Sequence, residues 1–244
     1  MEQTLVRRPH FFFTTAPTPC PYLKDRMERK VVTELSGANA DRLNDNLSRA
    51  GFRRSHAIAY TPACSGCTAC VPVRIIAAAF TQHRTFRKIY RKNADLTPAH
   101  VPVTATEEHF DLFERYQKSR HGDGDMANMG FYDYRSMVED SPVRTFITEY
   151  RLPDETLVAA CLTDQLSDGL SAVYSFYDPE LGERSLGTYM VLWMIEETLR
   201  RGLPFVYLGY WIAESRKMAY KSRFTPLERF GPGGWTPLRV TDQS

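Results

Sequence analysis

Three cysteines at two-residue gaps stand in the N-terminal half, in the run Cys64-Ser-Gly-Cys67-Thr-Ala-Cys70. A short loop with this spacing can bring its thiolates onto one centre, which is the chemistry of zinc sites and iron–sulfur clusters. Cys20, inside a proline-rich turn, is the natural fourth ligand. The spacing predicts a metal-capable site without separating zinc from iron–sulfur. The alternative is three reduced thiols in a tight turn.

Two aspartates alternate with two glycines in the segment from Arg120 to Met126, where Asp123 and Asp125 are the carboxylates. A carboxylate in a sharp loop can position an amine or contribute to a cation site. The further regularly spaced oxygen ligands of a calcium loop are absent from this sequence. The alternative interpretation is the plain C-terminal turn of the preceding helix.

Five cations recur at helical spacing, and they are Arg84, Arg87, Lys88, Arg91 and Lys92. A helix would place all five on one face and would turn Phe86, Ile89 and Tyr90 toward a core. Like charges this close repel one another, so an anionic ligand would relieve them. The pattern favours RNA or another phosphate backbone. The alternatives are a solvated cationic face or a membrane-surface helix, for which the apolar face is short.

The surrounding sequence adds to this charge, because no acidic residue lies between Asp45 and Asp95. That interval also contains Arg49, Arg53, Arg54 and Arg74, which brings its positive charges to nine although the net charge of the chain is only +2. Such a local block indicates a polyanionic partner.

A glycine-containing turn, Arg184-Ser185-Leu186-Gly187, follows the strand-forming run Ala172–Tyr177 and opens an apolar helix that ends at Gly202. The free N–H groups of a helix N-terminus suit a phosphate or a developing oxyanion. The alternative is a plain β-α-β unit with a tight turn.

The elements that must position these residues follow from periodicity and turn residues. Residues 143–151, 156–164 and 170–177 predict an antiparallel meander, and Phe205–Trp211 predicts a further strand after the apolar helix. Thr104 with Glu107 predicts a capping box that starts a helix through Arg120. Glu214–Arg223 predicts a cationic helix.

Composition limits the class of protein. With 244 residues and 43% hydrophobic content, the chain can form one large domain or two small ones. No apolar run reaches the ~20 residues of a membrane span, and the five cysteines are an odd number, unlike a disulfide framework. We therefore expect a cytoplasmic protein.

The order meander, turn, helix, strand and helix resembles the core of the GCN5-related N-acyltransferase fold, which is of the α+β class. In that fold the turn grips the pyrophosphate of acetyl-CoA, and Arg184 and Gly187 fit its pattern. Tyr189 stands where the fold has a small residue and would crowd a pyrophosphate. We expect an acyltransferase-like part at 101–244, with a smaller basic, cysteine-containing part at 1–100.

A set of motifs in order extends the resemblance over nearly the whole chain. They are Cys20-Pro-Tyr-Leu23, Gly51-Phe-Arg-Arg-Ser55, the cysteine loop with Val71-Pro-Val-Arg74, Arg120–Met126, Phe176-Tyr-Asp-Pro179, Arg184–Gly187, Tyr207–Ile212 and Lys217-Met-Ala-Tyr-Lys221. This set closely resembles the bacterial aspartate/glutamate leucyltransferases, relatives of the eukaryotic arginyl-tRNA–protein transferases. One departure is Lys24-Asp25, where the family pattern leads us to expect a proline.

The resemblance implies transfer of leucine from leucyl-tRNA to proteins that begin with Asp or Glu, which marks them for degradation by the N-end rule. It implies no cofactor for the transfer itself, while the cysteine region of relatives is associated with zinc or an iron–sulfur cluster.

Aminoacyl transfer from a tRNA makes chemical demands to which residues of this sequence can be matched. The tRNA contacts would come from Arg53, Arg54, Arg84, Arg87, Lys88, Arg91, Lys92 and Lys221. Arg184 would read the acidic side chain, with Arg74 or Lys217 as the alternatives, and Tyr210 and Tyr220 would be further substrate contacts. Asp123 or Asp125 would orient the attacking amine, and Ser185 or Tyr189 would join the backbone N–H groups of the helix at the oxyanion.

Two other functions remain open from the sequence. The first is a CoA-dependent N-acetyltransferase, against which Tyr189 and the basic interval count. The second is a non-catalytic RNA-binding metalloprotein, which does not account for the 170–226 core or the acidic loop.

Overall fold

A computed structural model describes residues 10–122, 124–215 and 217–238, without the side chains of His121 and Asp125. The helices are α1 (Ala40–Arg49), α2 (Arg84–Lys92), α3 (Glu107–His121), α4 (Phe131–Glu139) and α5 (Leu186–Arg200). Short 3-10 helices occupy Ala77–Ala79, Asp125–Asn128, Pro179–Arg184 and Ala219–Arg223.

The strands are β1 (Phe13–Thr14), β2 (Thr18–Pro19), β3 (Met27–Glu28), β4 (Lys30–Glu34), β5 (Arg53–Ser55), β6 (Ile58–Pro62), β7 (Val71–Ile76), β8 (Thr97–Val101), β9 (Thr145–Arg151), β10 (Leu157–Gln165), β11 (Gly169–Tyr177), β12 (Phe205–Trp211), β13 (Leu227–Gly231) and β14 (Gly234–Pro237). Eight of them form a large sheet in the order β14-β13-β7-β12-β11-β10-β9-β8. A smaller sheet has the order β1-β4-β6-β5, and β2 pairs with β3.

The predicted core is confirmed. The strands β9, β10 and β11 form an antiparallel meander. The helix α5 then connects β11 to β12, and these two strands pair in parallel. The large sheet is buried on both faces, since α5 and α2 pack on one side and α3 and α4 on the other. The near-continuous apolar run of β10 fits a strand covered on both sides.

The large sheet crosses the division expected near residue 100. β7 lies between β12 and β13, and β8 forms one edge of the sheet. In the chain, however, β7 comes before residue 100 and β8 ends at Val101. The smaller sheet and α1 have their own cluster, with Leu35, Leu47 and Ala59 at its centre. Sheet pairing therefore joins the two parts of the chain across that position.

Two local predictions were wrong. The helix α3 is capped by Thr106, whose side chain accepts a hydrogen bond from the N–H of His109 at 3.1 Å, and not by Thr104. The segment predicted as a helix over Glu214–Arg223 is helical only as the 3-10 turn Ala219–Arg223. Within the described part of the chain, no helix is long and apolar enough to cross a membrane.

Candidate active site

The parallel strands β11 and β12 separate after a short paired section. Pairing joins Gly169 to Phe205, Leu170 to Val206 and Ser171 to Tyr207, and it ends there. Both strands continue, to Tyr177 and Trp211, so their C-terminal halves face each other across a gap. Buried backbone carbonyls need hydrogen-bond donors, and here two side chains supply them.

Arg53 enters the gap from β5 of the smaller sheet. Its Nη2 donates to the carbonyl oxygens of Ala172 and Val173 on β11, at 2.7 and 3.0 Å. It also occupies the space beside β12 at Gly209, where an added Cβ would lie 1.3 Å from Arg53 Nη1. Gly209 has φ +73°, a conformation that L side chains rarely adopt. Both the backbone and the guanidinium therefore require glycine at this position.

Lys221 serves the other side of the gap. It lies in the 3-10 turn Ala219–Arg223, and its Nζ donates to the carbonyl oxygens of Leu208 and Tyr210 on β12, at 2.8 and 2.6 Å. Burial of its amine, followed by the nearby charge of Arg53, lowers the pKa of Lys221 from 10.5 to about 7. A lysine with this pKa exchanges its proton near neutral pH.

Tyrosines surround the two cations. Tyr210 donates its hydroxyl to the carbonyls of Gly51 and Tyr60, at 3.2 and 3.0 Å, which holds the chain before β5 against β12. Tyr220 is 38% exposed and lies at the mouth of the Lys221 turn. Burial raises the pKa values of Tyr22, Tyr210 and Tyr220, and the charge of Arg53 lowers each in part. Two basic side chains and several tyrosine rings therefore lie together where β11 and β12 separate.

The start of α5 is attached to the end of α2. Arg184 forms a two-pronged ion pair with Asp95, at 2.8 and 2.9 Å, and Asn93 donates to the carbonyl of Arg184 at 2.9 Å. Lys92 donates to the carbonyl of Glu183 at 2.8 Å. The predicted reader of the acidic side chain is thus engaged with a carboxylate of the chain itself.

Ser185 separates the 3-10 turn from α5 in a left-handed conformation with φ 54°. Its carbonyl accepts hydrogen bonds from the N–H groups of Thr188 and Tyr189, both at 3.0 Å, and its side chain caps no N–H group. Tyr189 itself is 3% exposed and packs against Tyr90 and Tyr150. The expectation that the Tyr189 side chain would crowd a pyrophosphate at this turn was wrong, because its ring is buried in the core.

Two of the predicted cations are buried in ion pairs. Arg54 donates to both carboxylate oxygens of Asp164, at 2.7 and 2.8 Å, and thereby ties β5 to β10. Arg74 donates to Glu228 at 2.7 Å and lies over the ring of Phe205. In this structure both side chains join parts of the fold, and neither presents a free guanidinium to a ligand.

The remaining predicted residues fall in three places. Lys217 is exposed in the turn before Ala219. Asp125 begins the 3-10 turn Asp125–Asn128, but its side chain and all of Asp123 lie outside the described residues. Their predicted role as carboxylates that orient the amine stays a prediction.

The basic face of α2 is present as predicted. Phe86 is fully buried, and its ring stacks on that of Phe224 with 4.9 Å between the ring centroids. Phe224 follows Lys221 by three residues in the chain. The five cations on the opposite face are exposed, and within the described residues none of them pairs with a carboxylate. One continuous packing unit therefore connects the basic face to the Lys221 turn.

The four cysteines predicted as metal ligands are neighbours. Burial, followed by the charges of Cys20, Cys64 and Cys67, raises the pKa of the Cys70 thiol to about 12. In their described positions, however, no group of three or more metal-capable side chains is arranged around a common centre. The donor set has the right chemistry and lacks the geometry, so zinc or iron–sulfur binding stays a prediction and carries no step below.

The N- and C-terminal family models of arginine-tRNA-protein transferase match residues 18–88 and 108–231. The chain is 66% identical to the aspartate/glutamate leucyltransferase of Paramagnetospirillum magneticum, over 96% of both chains. It is 64% identical to that of Rhodospirillum rubrum, again over 96% of both. Among solved structures, a GCN5-related glucosamine N-acetyltransferase region aligns with a TM-score of 0.42 at 9% identity, over 84% of this chain and 23% of that one.

The family models and the two curated relatives define an aminoacyltransferase, and its scaffold is of the α+β class. The chain belongs to the arginine-tRNA-protein transferase family. Sequence reasoning found the turn at Arg184 and the α2 face, and it did not find the gap. The signal was Gly209, a lone glycine within the aromatic strand Phe205–Trp211, which marks a bulge or a close approach.

Proposed function

We propose that this protein transfers leucine from leucyl-tRNA to the α-amine of proteins whose first residue is Asp or Glu. The observation that carries the choice of donor and acceptor is near-full-length identity of 66% to a leucyltransferase whose name specifies aspartate and glutamate. Transfer would mark the acceptor for degradation by the N-end rule. Because the donor would be a charged tRNA, we expect the reaction to occur in the cytoplasm.

The exposed cations of α2 support the donor half of this proposal. They form a face without carboxylate partners among the described residues, and α2 is attached to the start of α5 through Lys92 and Asn93. A phosphate backbone held on α2 would therefore bring the aminoacyl end toward α5 and the gap. Phosphate contacts of this kind supply affinity and orientation without reading sequence.

The reaction itself needs a neutral amine and a stabilised oxyanion. The α-amine attacks the carbonyl carbon of the leucyl ester, a new amide bond forms, and the ribose oxygen leaves with a proton. Model α-amines have a pKa of ~8, so roughly a tenth is neutral near pH 7 and a strong base is unnecessary. The first N–H groups of α5 are candidates for the oxyanion donors.

The occupied gap weighs against a CoA-dependent N-acetyltransferase. An extended ligand could pair with β11 beyond Ser171 only by displacing Arg53 from the carbonyls of Ala172 and Val173. The obstacle to CoA is therefore the Arg53 side chain, and not the Tyr189 side chain that the sequence led us to expect beside the pyrophosphate.

The test compares donors with one acceptor. Wild-type protein is incubated with an Asp-starting peptide and, separately, with leucyl-tRNA, arginyl-tRNA or acetyl-CoA, and the product is identified by mass spectrometry. We expect addition of one leucine at the α-amine, and none on the same peptide with an acetylated N-terminus. Preferential addition of arginine or of an acetyl group would contradict the proposal.

A further inference from the structure

The cations of the gap have no carboxylate partner in the described part of the chain. The only acceptors described for Arg53 are the carbonyls of Ala172 and Val173, both bonded through Nη2, which leaves Nε and Nη1 without an acceptor among the described residues. Lys221 likewise bonds only carbonyls. Backbone carbonyls are dipoles and do not neutralise a positive charge, so the charge of Arg53 has no counter-ion among the described residues.

Three other arginines that the sequence assigned to ligand binding differ from Arg53 in this respect. Arg184 pairs with Asp95, Arg74 with Glu228, and Arg54 with Asp164. The charge of each of these three arginines is already neutralised by an ion pair with a carboxylate of the chain. Arg53 is half-buried, so its charge is less screened by water than the charges on the α2 face.

We propose that Arg53 and Lys221 bind the side-chain carboxylate of the acceptor's N-terminal Asp or Glu and so form the pocket that selects acidic N-termini. This inference rests on the proposed function, whose site it locates. A carboxylate fits better than a tRNA phosphate, because the pocket lies between two strands and the exposed α2 face is better suited to a nucleic-acid backbone.

The positions of the two cations suit both acceptors. Arg53 is fixed on β11 and Lys221 on β12, so a carboxylate between the strands can lie nearer to one cation or to the other. Asp and Glu differ by one methylene, which shifts the carboxylate along such a pocket while the α-amine stays in place. A neutral Asn or Gln has nearly the same shape and lacks the charge, so Asp against Asn isolates the electrostatic contribution.

The first test uses Arg53→Gln, with leucyl-tRNA saturating and with Asp-, Glu- and Asn-starting peptides. Losing a charge-assisted bond should lower kcat/KM for the Asp and Glu peptides by about 10²-fold and change the Asn peptide far less. Arg53→Lys, which keeps the charge, should recover part of the preference. Arg135→Gln, at an exposed arginine on α4, is the matched control and should change nothing.

Two results would overturn the inference. The first is an equal fall for the Asp and Asn peptides. The second is a weaker dissociation constant for leucyl-tRNA with the preference for Asp over Asn intact, which would assign Arg53 to a phosphate.

A second test needs no variant and therefore does not depend on the variant folding. Phenylglyoxal modifies accessible arginines of the wild-type protein, and peptide mapping gives the rate at each residue. The Asp-starting peptide should slow modification of Arg53 while the Asn-starting peptide does not, and equal rates with both peptides would contradict the pocket. Protection without any leucine transfer would leave the pocket standing and overturn the proposed function instead.

Discussion

Arg53 and Lys221 cap opposite sides of one gap, since Arg53 bonds two carbonyls of β11 and Lys221 bonds two carbonyls of β12. The two residues are far apart in sequence and come from different parts of the fold. Their meeting point is where two parallel strands stop pairing. The surroundings of this pair lead to four predictions.

Gly209→Ala should displace Arg53 and abolish the preference for acidic acceptors. The new Cβ would overlap the guanidinium, and the positive φ would add ~1–2 kcal/mol of backbone strain to the folded state. Gly202→Ala is the matched control, because Gly202 has φ +67° and no neighbour within 4 Å of an added Cβ. Thermal unfolding and the Asp-to-Asn ratio of kcat/KM measure both effects. If the two variants behave alike, Gly209 serves only the backbone.

Arg54→Leu should destabilise the fold without weakening tRNA binding. Asp164 would be left as an unpaired buried carboxylate, which costs ~3–5 kcal/mol in the free energy of unfolding. Arg144→Leu breaks an exposed pair with Asp41 and should cost at most ~1 kcal/mol. Urea denaturation gives the free energies, and the dissociation constant of leucyl-tRNA is measured below the unfolding transition. A stable Arg54→Leu protein with weak tRNA binding would restore the role predicted from sequence.

Charge reversal of Arg87 and Arg91 together should weaken leucyl-tRNA binding and leave the fold intact, since both side chains are exposed. For each tRNA phosphate that the variant no longer neutralises, the slope of log K against log salt concentration should fall by about 0.7–0.9. Arg135→Glu changes an exposed charge on α4 and serves as the control. Unchanged affinity and an unchanged salt slope would remove α2 from the tRNA interface.

Lys221→Met should remove a pH dependence of stability. Lys221 has a folded pKa of about 7 against 10.5 for an ordinary lysine, so between these values the unfolded chain binds more protons than the folded one. The free energy of unfolding of the wild type should therefore gain up to ~1.4 kcal/mol per pH unit from this group as pH rises above 7.

The relevant measurement is the difference between wild type and Lys221→Met in urea denaturation from pH 6.5 to 9.5, because other titrating groups then cancel. The carbonyls left without donors by the methionine lower stability equally at every pH. Lys118→Met, at an exposed lysine that pairs with Glu114, should show no such trend. A constant difference would mean that Lys221 keeps an ordinary pKa in the fold.

Much of this fold could be predicted because its signals are local. The α2 cations and Phe86 follow one helical period, and the meander follows from strand formers separated by turn residues. The same reasoning failed where a residue has a distant partner. No residue close to Arg184 in the sequence indicates that Asp95 will form an ion pair with it. Tyr189 stands beside a turn motif, but its helical spacing places its side chain on the buried face of α5.

The gap could not be predicted from the sequence either, because the residues that form it are distant from one another in the chain. Placing Arg53 between β11 and β12 requires knowing that β5 packs against the large sheet, a relationship more than a hundred residues apart in the chain. Lys221 was predicted on a cationic helix as a tRNA contact, whereas the chain forms only a 3-10 turn there and its amine donates to carbonyls of β12. Long-range packing, rather than local propensity, therefore decides which cations of this basic chain are free for a ligand.

The most direct measurement of the acceptor site is hydrogen exchange of the wild-type protein with an Asp-starting peptide and with its Asn-starting counterpart. The Asp peptide should selectively slow exchange in β5, at the end of β12 and in the turn around Lys221, and should leave α2 unchanged. Slower exchange around Arg184 and the start of α5, with no change in β5 or near Lys221, would contradict it.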